Sequence, residues 1–117
     1  MPATEPAQIY RNVMEPLVIQ EFEHQFRQLP AKVAQYVNKA EVVAYALNRL
    51  PPLYATSERG WQQQQARADR ELAPKIAAAV RQAIAAVQRD PIRATTPLRV
   101  DGDRDVHMAL RELQELL

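Results

Sequence analysis

Apolar residues recur every three to four positions along most of this 117-residue chain, a spacing typical of amphipathic helices. The first repeat consists of Tyr10, Met14, Val18, Phe22 and Phe26. It predicts a helix from about residue 9 to about residue 28. Pro16 interrupts the repeat, because proline has no backbone N–H to donate and crowds the preceding turn. Either the helix bends at Pro16, or it begins near Glu15 with Pro16 in its first turn.

A capping signal marks the start of the second helix. After a short turn at residues 31–37, Asn38 and Glu41 form the N-x-x-E pattern of a capping box, in which each side chain accepts from the other residue's backbone N–H. The helix is predicted over residues 39–49. Pro51 and Pro52 follow it, and the residue before a proline disfavours the α conformation. We therefore expect a tight corner after this helix.

A third, longer helix is predicted over residues 58–88. Ser57 is its expected N-cap, and Pro74 is expected to bend or break it. Its apolar side consists of Trp61, Leu72, Ile76, Val80, Ala83 and Val87. If the helix stays fairly straight at Pro74, three arginines at 11-residue spacing fall within roughly 40° of one another on the opposite side. These are Arg59, Arg70 and Arg81.

The end of the chain differs in composition from the rest. Residues 90–104 contain two prolines, two threonines and a glycine, which is typical of a linker. Asp105 then precedes VHMALRELQELL, an amphipathic segment that predicts a final helix. We expect one small all-α domain of four to five helices over residues 1–90, followed by a linker and a C-terminal amphipathic helix over residues 91–117.

Composition and charge narrow the class of protein. The chain has no cysteine, which excludes disulfides and thiolate metal sites. The N-terminus shows no secretory signal and no apolar run approaches the roughly 20 residues of a membrane span, so we expect a soluble cytoplasmic protein. The net charge of +1 does not suggest a general nucleic-acid binder. Arginine, which suits bidentate phosphate and guanine contacts, nevertheless supplies most of the basic residues.

Candidate catalytic and metal-binding groups are few. His24 and His107 are far apart in the sequence, and neither accompanies a recognisable nucleophile motif. Glu21-x-x-His24 matches one carboxylate–histidine element of a di-iron bundle, but such sites need two of these elements. Acidic residues between 101 and 112 fit an EF-hand spacing, but Val106 stands where that loop needs glycine. We therefore expect no catalysis, no bound metal and no other cofactor.

The run EVVAYALNRLPPLYATSERGW, residues 41–61, is the best candidate for a binding site. Packing two helices around a corner explains its prolines, its serine cap and its apolar residues. It does not explain Asn48, Arg49 and Arg59. A helix N-terminus offers N–H groups to phosphate, and arginines add bidentate donors. From the residues alone, an anion or nucleotide site and a purely structural corner are about equally supported.

Two stretches of the chain carry a family resemblance. YVNKAEVVAYALNRLPPLYATSERGW and the upstream YRNVMEPLVIQEFEHQFRQLP closely resemble the late competence development protein family, ComFB, and above all its cyanobacterial branch. The resemblance covers about residues 9–90. It implies a small, dimeric, all-helical, non-catalytic protein. The firmicute branch carries cysteines that suggest zinc, and since this chain has none, no metal is carried over.

Members of the cyanobacterial type are similar to receptors for cyclic di-GMP, and in some cases cyclic di-AMP. The resemblance implies that this chain acts on cell size, motility or competence through a protein partner, such as a transcription regulator. Such a ligand has two phosphates and two purines in approximate two-fold symmetry, and a C2 homodimer presents the same residues twice. Arginines are expected to contact phosphates or guanine, rings and a proline to stack, and an asparagine to read a base edge. The expected ligand-binding residues are Asn48, Arg49, Pro52, Tyr54, Arg59, Trp61 and Arg70.

Two other functions are alternatives to a cyclic-dinucleotide receptor. One is a helical dimeric adaptor protein with no small-molecule ligand, in which the corner builds only a dimer core and the C-terminal helix recruits a partner. The other is a DNA-binding helix–turn–helix regulator, which the near-neutral charge and the prolines in the turn disfavour.

Overall fold

The computed structural model describes residues 9–88, which form five α-helices and one two-stranded antiparallel sheet. The predicted all-α class is confirmed, with the small sheet as an addition. The predicted linker, the C-terminal helix and the acidic residues 101–112 lie outside the described residues. In chain order the elements are β1 (Arg11–Asn12), α1 (Met14–Phe26), α2 (Ala31–Ala34), α3 (Lys39–Leu47), β2 (Tyr54–Ala55), α4 (Glu58–Glu71) and α5 (Ala73–Gln88).

The first helix begins later than the four-residue repeat predicts. Of the two alternatives at Pro16, the second is confirmed, because α1 starts at Met14 and holds Pro16 in its first turn. The prediction of a helix from residue 9 is wrong. Tyr10 is 73% exposed and belongs to no apolar helix face, and the two residues after it form β1.

Asn38 and Ser57 cap α3 and α4 as predicted. The Asn38 side-chain oxygen accepts from the Glu41 backbone N–H at 3.2 Å, and the Ser57 hydroxyl accepts from the Gly60 N–H at 3.0 Å. These bonds satisfy donors that a helix leaves free in its first turn, which fixes where α3 and α4 begin. The predicted turn at residues 31–37 instead contains the short helix α2.

The long third helix is broken, as one of the two alternatives at Pro74 predicts. The chain leaves helical geometry at Leu72, whose φ is −119°, and α5 starts at Ala73. Proline has no N–H to donate to the carbonyl four residues earlier, so the hydrogen-bond ladder cannot run through this point. The stripe of three arginines required one straight helix. That condition is not met for Arg81, which lies on α5.

Three helices enclose the core. α3 packs against both α1 and α5, and α1 also contacts α5, whereas α4 contacts β2 and α5. The Gln25 amide ties α1 to α5 by donating to the Ala77 carbonyl at 2.9 Å. Every fully buried side chain among residues 9–88 is apolar. The largest of them are Met14, Leu53, Val13, Val18, Val42 and Val80.

Candidate functional site

The corner after α3 is anchored to the start of α1 by one side chain. The Asn12 Oδ1 accepts from the Leu53 backbone N–H at 2.8 Å and from the Met14 N–H at 3.1 Å. The Val13 N–H donates to the Leu53 carbonyl at 2.8 Å. Leu53 and Met14 are buried, so water cannot easily replace these partners. The corner is therefore held in place although 41 residues separate Asn12 from Leu53.

The two-stranded sheet at this corner separates two sets of side chains. β1 and β2 pair Arg11 with Ala55 and Asn12 with Tyr54. Because side chains alternate between the faces of a strand, Tyr10 and Tyr54 lie on one face and Arg11 and Ala55 on the other. The rings of Tyr10 and Tyr54 meet edge to face, with centroids 6.0 Å apart. Both tyrosines are more than half exposed.

A groove lies on the Arg11 face, between the sheet and the first turns of α4. Its volume is about 720 Å³, within the range of small-molecule sites. Trp61 forms part of its wall, and Arg11 and Glu58 supply charges of opposite sign. The remaining lining residues are Ile9, Ala55, Thr56, Ser57 and Gln62.

A second depression of about 500 Å³ adjoins the first. It is lined by Asn12, Glu15 and Pro16, together with Arg11 and Trp61. Arg11 and Trp61 line both depressions and therefore stand between them. We call the two depressions together the twin groove. It offers one aromatic surface and one guanidinium to two neighbouring spaces.

Trp61 has two roles in this geometry. It is partly buried and packs against the apolar core, so part of the ring stabilises the fold. Trp61 also lines both depressions of the twin groove. Of the seven predicted ligand-binding residues, Trp61 is the one that lines these depressions.

The other predicted residues lie elsewhere around the corner. Asn48 and Arg49 follow α3, where both are exposed. The Arg49 guanidinium carbon lies 3.7 Å from the centroid of the Tyr45 ring, a cation–π contact that orients the side chain. Pro52 is exposed in the corner itself, and Tyr54 meets Tyr10 edge to face on the sheet face opposite Arg11.

Arg59 and Arg70 both belong to α4, and both are exposed. At about 1.5 Å of rise per residue, their backbones are roughly 16 Å apart along the helix. The structure therefore distributes the seven predicted residues over several surfaces of one chain. Their role in ligand binding stays a prediction.

Comparison with known protein families identifies the family of this chain. The profile of the family described as late competence development protein ComFB matches residues 11–91, well over half of the chain. The chain belongs to the ComFB family. No curated protein matches it.

Sequence reasoning missed two residues of this ComFB corner, Arg11 and Asn12. A signal for Asn12 was present, because Asn12-x-x-Glu15 repeats the Asn-x-x-Glu spacing of Asn38 and Glu41 near the start of α1. The N-cap of α1 is nevertheless Val13, and Asn12 accepts from the Met14 N–H instead. For Arg11 there was none. It enters the twin groove only because β1 pairs with β2, which is a contact between distant parts of the chain.

Two other features of this ComFB protein concern the predicted carboxylate–histidine element and membrane spans. Glu21 and His24 line a separate groove of about 560 Å³ between α1 and α5, where the Gln25 amide donates to the Glu21 carboxylate at 2.8 Å. Among the helices of residues 9–88, none has both the length and the apolar character that a membrane span requires.

Proposed function

We propose that this ComFB protein is a non-catalytic receptor for a cyclic dinucleotide, with cyclic di-GMP as the first candidate and cyclic di-AMP as the second. On this proposal it works in the cytoplasm, needs no metal or cofactor, and signals to a protein partner in the control of cell size, motility or competence. Membership of a competence family supports the biological setting.

The observation that carries the proposal is the twin groove. A cyclic dinucleotide consists of two purines joined by a ring that contains two phosphates. The twin groove likewise consists of two spaces with Arg11 and Trp61 between them. In the proposed complex each space takes one purine, and the Arg11 guanidinium contacts the phosphates between them.

The chemistry of the shared residues suits these roles. Arg11 is exposed, and within residues 9–88 it has no ion-pair partner, so its guanidinium donors are available to a phosphate. Stacking of a base on an aromatic ring contributes on the order of 1–3 kcal/mol. Trp61 is well placed for this because its attachment to the core limits the entropy lost on binding.

A C2 homodimer is part of the proposal. In a dimer, residues that lie apart in one chain, such as Arg49 and Arg59, can meet across the two-fold axis. The exposed ring pair of Tyr10 and Tyr54 offers apolar surface for such an interface.

Isothermal titration calorimetry of the full chain with cyclic di-GMP, cyclic di-AMP and GTP tests the proposal. We expect saturable heat with at least one cyclic ligand and much weaker heat with GTP. Arg11→Gln should weaken binding on the order of 10-fold or more, whereas Arg27→Gln, a matched change at another exposed arginine, should not. An absence of heat with both cyclic ligands up to high micromolar concentration refutes the receptor function.

A helical adaptor is the second candidate, and one surface supports it. The sector of about 120° opposite Ala68 on α4 contains no carboxylate. Its side chains are all exposed and can hydrogen-bond or pair with an acidic partner, apart from one alanine that allows close approach. They are Arg59, Gln62, Gln63, Ala66 and Arg70. An adaptor without a ligand predicts no heat in the titrations above.

A further inference from the structure

Each half of the twin groove contains one carboxylate. Glu58 lines the larger depression and Glu15 the smaller one. Both residues are exposed and both lie in the first turn of a helix, α4 and α1 respectively. The two halves thus share Arg11 and Trp61 and each adds one acid of its own.

Among the described residues, neither carboxylate forms an ion pair with a basic side chain. Within residues 9–88 the ion pairs are Lys39 with Glu23 and Arg67 with Glu71, so Glu15 and Glu58 take part in neither. Arg11 lines both depressions without forming an ion pair to either acid. Acids in the first turn of a helix interact favourably with its dipole, which explains their place in the sequence. It does not explain why both line the groove beside Trp61.

A carboxylate distinguishes guanine from adenine at the Watson–Crick edge. Guanine presents two adjacent donors there, N1–H and N2–H, and an ionised carboxylate has two acceptor oxygens and no donor. Adenine presents the acceptor N1 beside the donor N6–H, so one carboxylate oxygen would face a lone pair. A site built to hydrogen-bond a particular group discriminates strongly against an analogue that lacks it.

Charge makes the discrimination sharper. The ligand is a dianion, so a nearby carboxylate lowers its affinity unless the base returns hydrogen bonds to that carboxylate. Each guanine can return two such bonds, whereas each adenine can return only one and leaves the other oxygen facing a lone pair. A carboxylate beside each base would therefore act mainly by penalising the wrong ligand, which is a common source of specificity.

We infer that Glu58 and Glu15 are specificity-determining residues that each accept the N1–H and N2–H of one guanine and so select cyclic di-GMP over cyclic di-AMP. This inference rests on the receptor function proposed above. It adds to that function a preference for cyclic di-GMP over cyclic di-AMP and the two residues that determine this preference.

Glutamine is the informative substitution at both positions. Its amide keeps the size of glutamate but offers one acceptor and one donor, which suits adenine better than guanine. A bidentate contact to a base corresponds to a discrimination on the order of 10- to 100-fold. We expect Glu58→Gln and Glu15→Gln each to weaken cyclic di-GMP binding by about 10-fold and to strengthen cyclic di-AMP binding. The double variant should bring the two affinities close together or reverse their order.

The test is calorimetry of the full chain with both cyclic dinucleotides for the wild type, the two single variants and the double variant. Asp69→Asn is the matched control, because it removes an exposed acid from α4 that lines neither depression. Circular dichroism of each variant verifies that the helical content is unchanged. A fall in the preference for cyclic di-GMP in the glutamine variants but not in Asp69→Asn supports the inference.

The contrary outcomes separate the two claims. If the wild type binds cyclic di-GMP and the glutamine variants keep its preference, the inference is wrong and the receptor function stands. If the wild type prefers cyclic di-AMP, the inference is likewise wrong and the receptor function stands. If the wild type binds neither ligand, both the receptor function and the inference are overturned.

Discussion

Replacing Asn12 with alanine should destabilise the fold more than any other exposed or half-buried polar substitution discussed above. The change removes the oxygen that accepts from the Leu53 and Met14 N–H groups, at 2.8 and 3.1 Å. Leu53 is 1% exposed and Met14 is fully buried, so both donors lose their partner where water has little access. An unsatisfied buried donor costs about 1–3 kcal/mol, and some relaxation is expected at a half-buried site. We therefore expect a loss of about 2–4 kcal/mol.

Urea denaturation followed by circular dichroism measures this loss directly. For a domain of this size, 2–4 kcal/mol corresponds to a fall in Tm on the order of 10–25 °C. Asn48→Ala is the matched control, because Asn48 is exposed and should change the unfolding free energy by less than about 0.5 kcal/mol. Asn12→Asp, which keeps the acceptor, should recover most of the stability. Equal losses for Asn12→Ala and Asn48→Ala would refute the role of Asn12 as the anchor of the corner.

Three further substitutions address the caps and the binding surface. Ser57→Ala should cost about 1 kcal/mol by removing the α4 cap, and Ser57→Asp should restore it in the same urea titration. Trp61→Ala should lower the unfolding free energy by about 2 kcal/mol, since the ring is only partly buried. It should also abolish the heat of ligand binding in calorimetry. Complete unfolding of this variant would instead show that Trp61 is a core residue alone. Arg49→Ala should leave helical content intact, since Arg49 is exposed. It should weaken cyclic di-GMP binding, because in the proposed dimer Arg49 meets residues of the second protomer across the two-fold axis, and an unchanged Kd would remove Arg49 from the site.

Local signals in the sequence were sufficient to place most helices. Asn38 and Ser57 cap α3 and α4 as predicted, because a capping bond forms within three residues and needs no distant partner. Pro74 likewise marks the break between α4 and α5, because the loss of its N–H acts within one turn.

Non-local contacts account for what the sequence did not predict. Two residues in each strand are too few for an alternating pattern, so the pairing of Arg11 with Ala55 left no periodic signal. The four-residue repeat instead predicted that the first helix includes Tyr10. In the structure the Tyr10 ring meets the Tyr54 ring on one face of the sheet.

Some residues of the candidate site could likewise be predicted from local sequence, and others depend on non-local contacts. The corner and Trp61 could be found from the sequence because prolines, a cap and a tryptophan occur together there. Arg11, Glu15 and Glu58 could not be grouped, because only the sheet brings the start of α1 beside the start of α4. Until the strands pair, these charges are indistinguishable from the other charged residues of the chain.

A fluorescence titration tests the central claim, that a cyclic dinucleotide binds in the twin groove, most directly. Trp61 is the single tryptophan of the chain and lines both depressions, so its emission reports on this groove. We predict a saturable change in emission as cyclic di-GMP is added to the full chain, retained in Arg27→Gln and strongly weakened in Arg11→Gln. No change in Trp61 emission at concentrations where calorimetry shows saturation, or equal affinities for the two variants, would contradict the claim.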